Sequence, residues 1–444
     1  MKIILTILLL IPALTFAEEK KLVKKCKQKP GTNMLECKMV EASNEDNSEN
    51  DHSGSNTKKT NPYDIAGVDK YDGRSELPYG SNPNYQTEKY FLNKYLNEWE
   101  QFYRFWSTDD YKHYVEKSDK PYEFEFALEK NPDVTNALEN TAMLSYLLYE
   151  NGKIIVDEIT PKNRYGDLYT NDSKYHSQSV GKSITSYIVG HAICEGYIDS
   201  IDSALDDWPA LDNTLYDGQK LIDLLNMNAG DQKYVKMDGI INSDRWYNHY
   251  PVQDYLQNEF QGSKKSNPTW NYNGFVTNLL GTYVLFKSNG EFQNLLDYVF
   301  KSKAKIKDSV FFIKQENAKP EDKTFWNAFY ANRYDYLRIA RAMIVDWKND
   351  TCVGKYLKDV YATAIPKNSQ TAPGFRLSYT KKYAGQFHTH FRTPFKEIKR
   401  PIMMMDGRGG QIIVIDFEKD RVIAIQAIRD NFNFKKLVFD VISD

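Results

Sequence analysis

Ser177-Gln-Ser-Val-Gly-Lys-Ser-Ile-Thr-Ser-Tyr-Ile-Val-Gly-His-Ala-Ile-Cys-Glu-Gly-Tyr-Ile-Asp199 is the stretch on which the reading of this chain turns. Ile184, Ile188, Val189 and Ile193 recur at helical spacing and Gly196 is a natural stop, so the segment is predicted to be a buried helix beginning at Ser179. Residues three apart share a helix face, which sets the Lys182 amine beside the Ser179 hydroxyl. Burial lowers a lysine pKa toward the range where it can take a proton, making Ser179 a candidate nucleophile and Lys182 its base. Spacing alone is not selective, because Ser55/Lys58, Ser302/Lys305 and Ser378/Lys381 share it. Those pairs lie in a polar tail, a Lys-rich stretch and an irregular segment, and only the pair at 179 and 182 opens an apolar helix.

The 444 residues, 41% hydrophobic and 14% aromatic, suffice for a large core in one domain or two intimately packed ones. A formal charge of -2 and the lack of a basic stripe argue against a nucleic-acid partner. Met1 to Ala17 carries one early Lys2, an apolar run from Ile3 to Leu14, and small residues at Thr15 and Ala17. This reads as a signal peptide cleaved after Ala17, too short to span a bilayer, so a periplasmic or secreted protein with no transmembrane segment is expected. Residues 18–85 are predicted to be a polar, disordered leader, and 86–444 the folded domain. That domain opens on an aromatic stripe (Tyr90, Phe91, Tyr95, Trp99, Phe102, Tyr103, Phe105) at helical spacing.

Export makes the four cysteines informative. Cys26 and Cys37 bracket Lys29-Pro-Gly-Thr-Asn33 and are expected to close a disulfide hairpin. Cys194 and Cys352 have no metal-like spacing partner and are expected to be free, buried thiols.

Asn151-Gly152 between two apolar runs is the strongest hairpin signal in the chain. A second hairpin is predicted for Gln411 to Asp416 and Arg421 to Ile428, an amphipathic helix for Tyr334 to Trp347, a closing helix for Asn433 to Ile442, and a polar loop entering an apolar helix between Trp270 and Phe286. Asp231 to Thr269 lacks a period and is read as loops near a cleft, with Trp246, Tyr247 and His249 as candidates to line it. Hairpin, helices, hairpin and terminal helix imply an α+β fold: an antiparallel sheet from both chain ends, flanked by helices, with a helical region inserted between.

The order of these pieces resembles the serine beta-lactamase and penicillin-binding-protein superfamily, in its class C-like branch of esterases, D-aminopeptidases and 6-aminohexanoate-oligomer hydrolases. The resemblance covers residues 141 to 444 and rests on Ser179-Val-Gly-Lys182, Leu224-Leu-Asn-Met-Asn-Ala-Gly230, Tyr272 through Gly281, and Gly407-Arg-Gly-Gly-Gln411 before a strand. It implies an exported serine hydrolase that cleaves an amide or ester through an acyl-enzyme on Ser179, acting on small-molecule or peptide substrates without a cofactor. Lys182 would be the base, Tyr272 would pass protons to the leaving group, and the N–H groups of Ser179 and Gln411 would form the oxyanion hole.

Two positions depart from the pattern. Gly274 stands where the superfamily usually has an asparagine whose amide contacts substrate and lysine, so Asn273 or Asn271 is the expected substitute. Arg408 replaces a lysine or histidine and can pair with a substrate carboxylate, beside Gly409 and Gly410, which allow close approach. The departures motivate an alternative, a catalytically inactive relative that binds cell-wall peptides or another envelope ligand. His388-Thr-His390 would share a strand face, but no third ligand accompanies it, and no metal is expected.

Overall fold

The structure, a computed structural model, describes residues 22–28 and 35–41, and 109–443 apart from 164, 167–168, 237–239, 242–244, 248, 316, 369–375, 393–395, 429 and 431. The signal segment and the aromatic stripe at 90–105 lie outside the described residues. The chain divides into two compact units, Met1–Lys59 and Thr60–Asp444. In the first, Leu22–Gln28 pairs antiparallel with Leu35–Glu41 and sets Cys26 opposite Cys37. Paired strands thus occupy part of the stretch expected to be a disordered leader; the disulfide expected of these two side chains lies outside the described residues.

The second unit is built on a nine-stranded sheet. Its strands in chain order are β1 (Glu125–Phe126), β2 (Met143–Glu150), β3 (Lys153–Ile159), β4 (Ile365–Pro366), β5 (Thr380–Ala384), β6 (Phe387–Phe391), β7 (Ile402–Gly407), β8 (Gln411–Asp416) and β9 (Arg421–Ala427). They lie in the order β4-β5-β6-β7-β8-β9-β2-β3-β1, antiparallel except for the edge pair β3 and β1. The β2–β3 hairpin turns at Asn151 and Gly152, whose φ values of 48° and 90° suit an Asn-Gly pair. β9 returns against β2, with Arg421 opposite Glu150 and their side chains 2.6 Å apart. Both chain ends therefore build one sheet, as the α+β reading expects.

One face of the sheet is covered by α1 (Pro132–Asn140), through Val134 and Leu138, and by the C-terminal residues Leu437 to Ile442. The helix expected over Asn433 to Ile442 is a π-helix, Lys435–Phe439, followed by a 3-10 helix, Val441–Ser443, not a regular α-helix. Side chains of the sheet, and that of Arg400 just before β7, take carbonyls of this segment: Tyr146 donates to Leu437 O, Arg421 to Val441 O and Arg400 to Ile442 O.

The opposite face carries α2 (Val180–Cys194), α3 (Phe275–Lys287), α4 (Arg333–Lys348) and α5 (Cys352–Ala362), which share the main apolar core. α5 packs against α2, where a Cβ at Gly190 would sit 2.5 Å from the Tyr356 ring and Ser186 Oγ lies 2.8 Å from the Tyr356 hydroxyl. That packing brings the last residue of α2 to the first of α5. Cys194 and Cys352 accordingly form a disulfide, with Cα atoms 5.8 Å apart, correcting the expectation of free thiols.

A second sheet, unforeseen from the sequence, orders Lys112–Val115, Val310–Ile313, Phe329–Ala331 and Tyr175–His176. It holds the residue two before the candidate nucleophile in place: Ser177 N donates to Phe329 O at 2.7 Å, and Phe329 N donates to Ser177 Oγ at 3.0 Å. Among the described residues no helix is long and apolar enough to cross a membrane.

Candidate active site

Ser179 stands at the N-terminal end of α2, directly after Gln178 at φ 49°, a left-handed conformation that turns the chain sharply into the helix. The Lys182 amine donates to Ser179 Oγ at 2.8 Å, as the three-residue spacing predicts. Lys182 is only 4% exposed, while Ser179 is half-buried. Burial, with a smaller contribution from the nearby Arg408 charge, lowers the Lys182 pKa to about 7. A free amine base beside a hydroxyl is therefore accessible near neutrality.

Gly181, inside the motif, has no room for a side chain: a Cβ there would lie 1.8 Å from Asn327 O and 2.8 Å from Ser177 Oγ. At the end of β7, a Cβ on Gly407 would meet Ser177 O at 2.7 Å and Gln178 at 3.0 Å. These contacts press the Gly407-Arg-Gly-Gly-Gln411 segment against the turn carrying Ser179. Gly409 and Gly410 adopt φ of 81° and 94°, and Gln411 begins β8 opposite Gly407. The Arg408 side chain is exposed, and its charge acts on both Lys182 and Tyr247.

Tyr272 closes the site on a third side. Its ring lies 5.1 Å from the Lys182 Nζ and packs among Trp270, Tyr383 and His388. Helix placement is set by Gln386, at the turn between β5 and β6. Its backbone carbonyl accepts from Ser183 Oγ at 2.6 Å, its side-chain oxygen accepts from Thr277 Oγ1 at 2.7 Å, and its amide donates to Leu225 O at 2.9 Å. One residue thereby ties α2, α3 and the Leu224 to Gly230 segment together.

The expectation for Asn273 and Asn271 is corrected. Asn273 donates to Asp231 Oδ2 at 3.2 Å and Asn271 O at 3.0 Å, and accepts from Val276 N at 3.0 Å, capping α3. Asn271 donates to Asp231 Oδ1 at 2.7 Å and Val235 O at 3.0 Å. Both amides are spent on the loop that carries Tyr272 between them. Asp231, fully buried and also bonded by Tyr216 at 3.0 Å, organises that loop; its carboxyl pKa is raised by burial against these hydrogen bonds. Its position directly after the Asn-Met-Asn-Ala-Gly run was the only sign of it in the sequence.

The volume expected for an asparagine at 274 is filled by Tyr247. A Cβ on Gly274 would lie 2.2 Å from Tyr247 Cζ and 2.6 Å from its hydroxyl oxygen. Tyr247 thus packs against Gly274, which follows Tyr272 and Asn273 in the chain, whereas the side chain of Trp246 lies outside the described residues.

Elsewhere, His388 is buried against Tyr272 and Tyr383, while His390 stacks on Tyr361 at 5.0 Å. Among the described residues no group of three or more His, Cys, Asp or Glu is placed to hold a metal ion.

The fold is similar to that of solved beta-lactamase-like proteins. A protein from Bacillus anthracis proposed to be a 6-aminohexanoate-dimer hydrolase superposes with a TM-score of 0.58, at 14% identity, over 80% of this chain and 94% of its own. A beta-lactamase from Sulfitobacter sp. EE-36 superposes with a TM-score of 0.51, at 12% identity, over 70% of this chain and 95% of its own. No family model and no curated protein sequence matches the chain.

Proposed function

We propose that the protein is an exported serine hydrolase that cleaves an amide or ester through an acyl-enzyme on Ser179. The observation that carries this reading is the 2.8 Å bond between a buried Lys182 amine, whose pKa burial lowers to about 7, and the Ser179 hydroxyl. A purely structural lysine would be stabilised by a carboxylate or by solvent, and neither accounts for one poised on a serine at a helix N-terminus.

In the proposed cycle Lys182 Nζ takes the Ser179 proton as Oγ bonds to the substrate carbonyl carbon. The negative charge that develops on the carbonyl oxygen is met by the N–H groups of Ser179 and Gln411, the first of which also benefits from the helix dipole. Tyr272, beside Lys182, passes the proton to the departing amine or alcohol, which leaves the acyl group on Ser179. Water then adds to the acyl carbonyl with the same groups in reverse, releasing the acid and restoring the Ser179 hydroxyl.

A substrate with a short linear acyl chain is favoured by the likeness to a proposed 6-aminohexanoate-dimer hydrolase. Export is supported by the character of Met1 to Ala17 and by the Cys194–Cys352 disulfide, a bond expected in an oxidising compartment.

The test is reaction with a fluorophosphonate followed by intact-mass measurement, with Ser179→Ala and Lys182→Ala alongside. One adduct on the wild type, absent from Ser179→Ala, is the expected result. Folded wild-type protein that forms no adduct overturns the reading and leaves the binding-protein alternative.

A further inference from the structure

We infer that His176 is a positioning residue for the nucleophile: its Nδ1, by accepting the Gln178 N–H, locks the left-handed turn from which Ser179 is presented to Lys182. The inference rests on the proposed hydrolase reading and extends that site by one side chain behind the nucleophile.

The backbone of Gln178 is the reason a lock is needed. At φ 49° it lies in the left-handed region, which disfavours a residue carrying a Cβ, and it directly precedes Ser179. A turn of this kind persists only where its surroundings over-determine it. On one side, Gln178 N donates to His176 Nδ1 at 2.8 Å. On the other, Gln178 O accepts from Ser177 Oγ at 3.1 Å and from Gly181 N at 3.2 Å. The two peptide groups that flank the Gln178 Cα are therefore both held, one of them by an imidazole.

His176 is itself fixed from the far side. It stands opposite Tyr330 in the second sheet, is 3% exposed, and sets its ring edge-on to the Tyr330 ring at 4.9 Å. Phe329, next to Tyr330, bonds Ser177 through both its carbonyl and its N–H. One short strand thus anchors the ring that holds the Gln178 N–H and the serine that holds the Gln178 carbonyl. Without the imidazole bond the turn is free to relax toward right-handed values, which carries the Ser179 hydroxyl away from its 2.8 Å contact with the Lys182 amine. Misplacement of a reacting atom by about 1 Å costs on the order of a hundredfold in rate.

Because a backbone N–H only donates, Nδ1 is the acceptor and the ring is neutral with its proton on Nε2. Nδ1 is bonded to Cγ. An asparagine oxygen stands at the same remove from the backbone, a glutamine oxygen one bond farther out, and leucine offers no acceptor at all.

The experiment measures the rate of fluorophosphonate labelling against reagent concentration on the full chain, read by intact mass, with Tm recorded for each variant. His176→Leu fills most of the ring's volume without an acceptor, whereas His176→Asn keeps the acceptor and leaves a gap beside Tyr330. A packing role favours the leucine variant; a positioning role favours the asparagine variant in labelling, whatever the order of their Tm values. His176→Leu is expected to lower the maximal labelling rate at least about tenfold, with the half-saturating concentration within about twofold of wild type, and His176→Asn to stay within about threefold of the wild-type rate. A wild-type rate in His176→Leu, or His176→Asn as slow as His176→Leu, overturns the inference. Should His176→Leu fail to fold, His176→Gln takes its place with the same expectation.

The route through the backbone is tested by Gln178→Gly, since glycine takes a positive φ without strain. In that background His176→Leu is expected to cost at most about threefold, and an undiminished loss overturns the inference. No adduct on folded wild-type protein overturns the hydrolase reading and this inference with it, whereas wild-type labelling that is insensitive to His176 overturns the inference alone.

Discussion

Arg408 and Lys182 face the same cleft as like charges, and after burial the guanidinium is what holds the Lys182 amine down toward a pKa of about 7. The Arg408 charge thus bears on the candidate base.

The pH profile follows from that relationship. Lys182 must be neutral to accept the Ser179 proton, so kcat/KM on a neutral ester should rise through about pH 7. Removing a neighbouring positive charge makes the ammonium easier to form, so Arg408→Gln should move this limb to higher pH and slow the reaction about two- to threefold near pH 6.5. A limb unmoved by the substitution would show that another group is titrating.

Stability should move against activity at Lys182. The amine titrates near 10.5 when unfolded and near 7 when folded. Between those values the unfolded chain binds more protons, so the stability contribution rises with pH across the window and is at its most unfavourable below about pH 7. Lys182→Met should therefore abolish labelling by fluorophosphonate yet raise Tm, with the larger rise at pH 6.5 than at pH 9.5. The gain is bounded at roughly 4 to 5 kcal/mol by the size of the shift. Equal Tm at both pH values would contradict a buried, depressed amine.

Gly181→Ala should reverse the usual helix preference. In an open helix position alanine is favoured over glycine by about 1 kcal/mol. Here the new methyl meets Asn327 O at 1.8 Å, a backbone atom that cannot swing aside. A destabilisation of about 2 to 4 kcal/mol by denaturant melts, with loss of labelling at Ser179, is expected; a neutral result would mean the backbone at Asn327 yields.

Asp231→Asn replaces an acceptor of three hydrogen bonds with a group that must itself donate, beside Tyr216, Asn271 and Asn273. A loss of about 1 to 3 kcal/mol is expected, with kcat falling about tenfold because Tyr272 hangs between the two released asparagines. Loss of stability with kcat intact would make Asp231 purely structural.

Cys352→Ser opens a crosslink spanning 158 residues. The folded protein should lose roughly 2 to 5 kcal/mol, measured by melting, and wild type in reductant should follow it. Unchanged melting would mean that the packing of Tyr356 against Gly190 alone holds the two helices.

The legible parts of this molecule are those governed by local spacing. The 179/182 pair, the Asn151-Gly152 turn and the helix around Tyr334 to Trp347 each follow from contacts within a few residues, and each stands close to where the pattern sets it. The second sheet was not legible because its strands run to four residues or fewer and pair across long separations. The Cys194–Cys352 bond depends on α5 docking on α2, which no spacing encodes. Asn273 could face the lysine or cap its own helix, and the buried Asp231 decided for the cap. Tyr247 sits in a stretch without period, and its importance emerges only from the empty Cβ position of a residue 27 places later.

The interleaving of β9 against β2 has a bearing on biogenesis. Met143–Glu150 waits for a partner that leaves the ribosome some 270 residues afterwards, and the glycine segment that abuts Ser177 belongs to the same late stretch. An N-terminal fragment ending between Lys182 and Gly407 would carry Ser179 and Lys182 without the segment that abuts Ser177. Ribosomal stalling or proteolytic trimming that removes β9 should leave products lacking the strand that pairs with β2, and these are expected to be unstable.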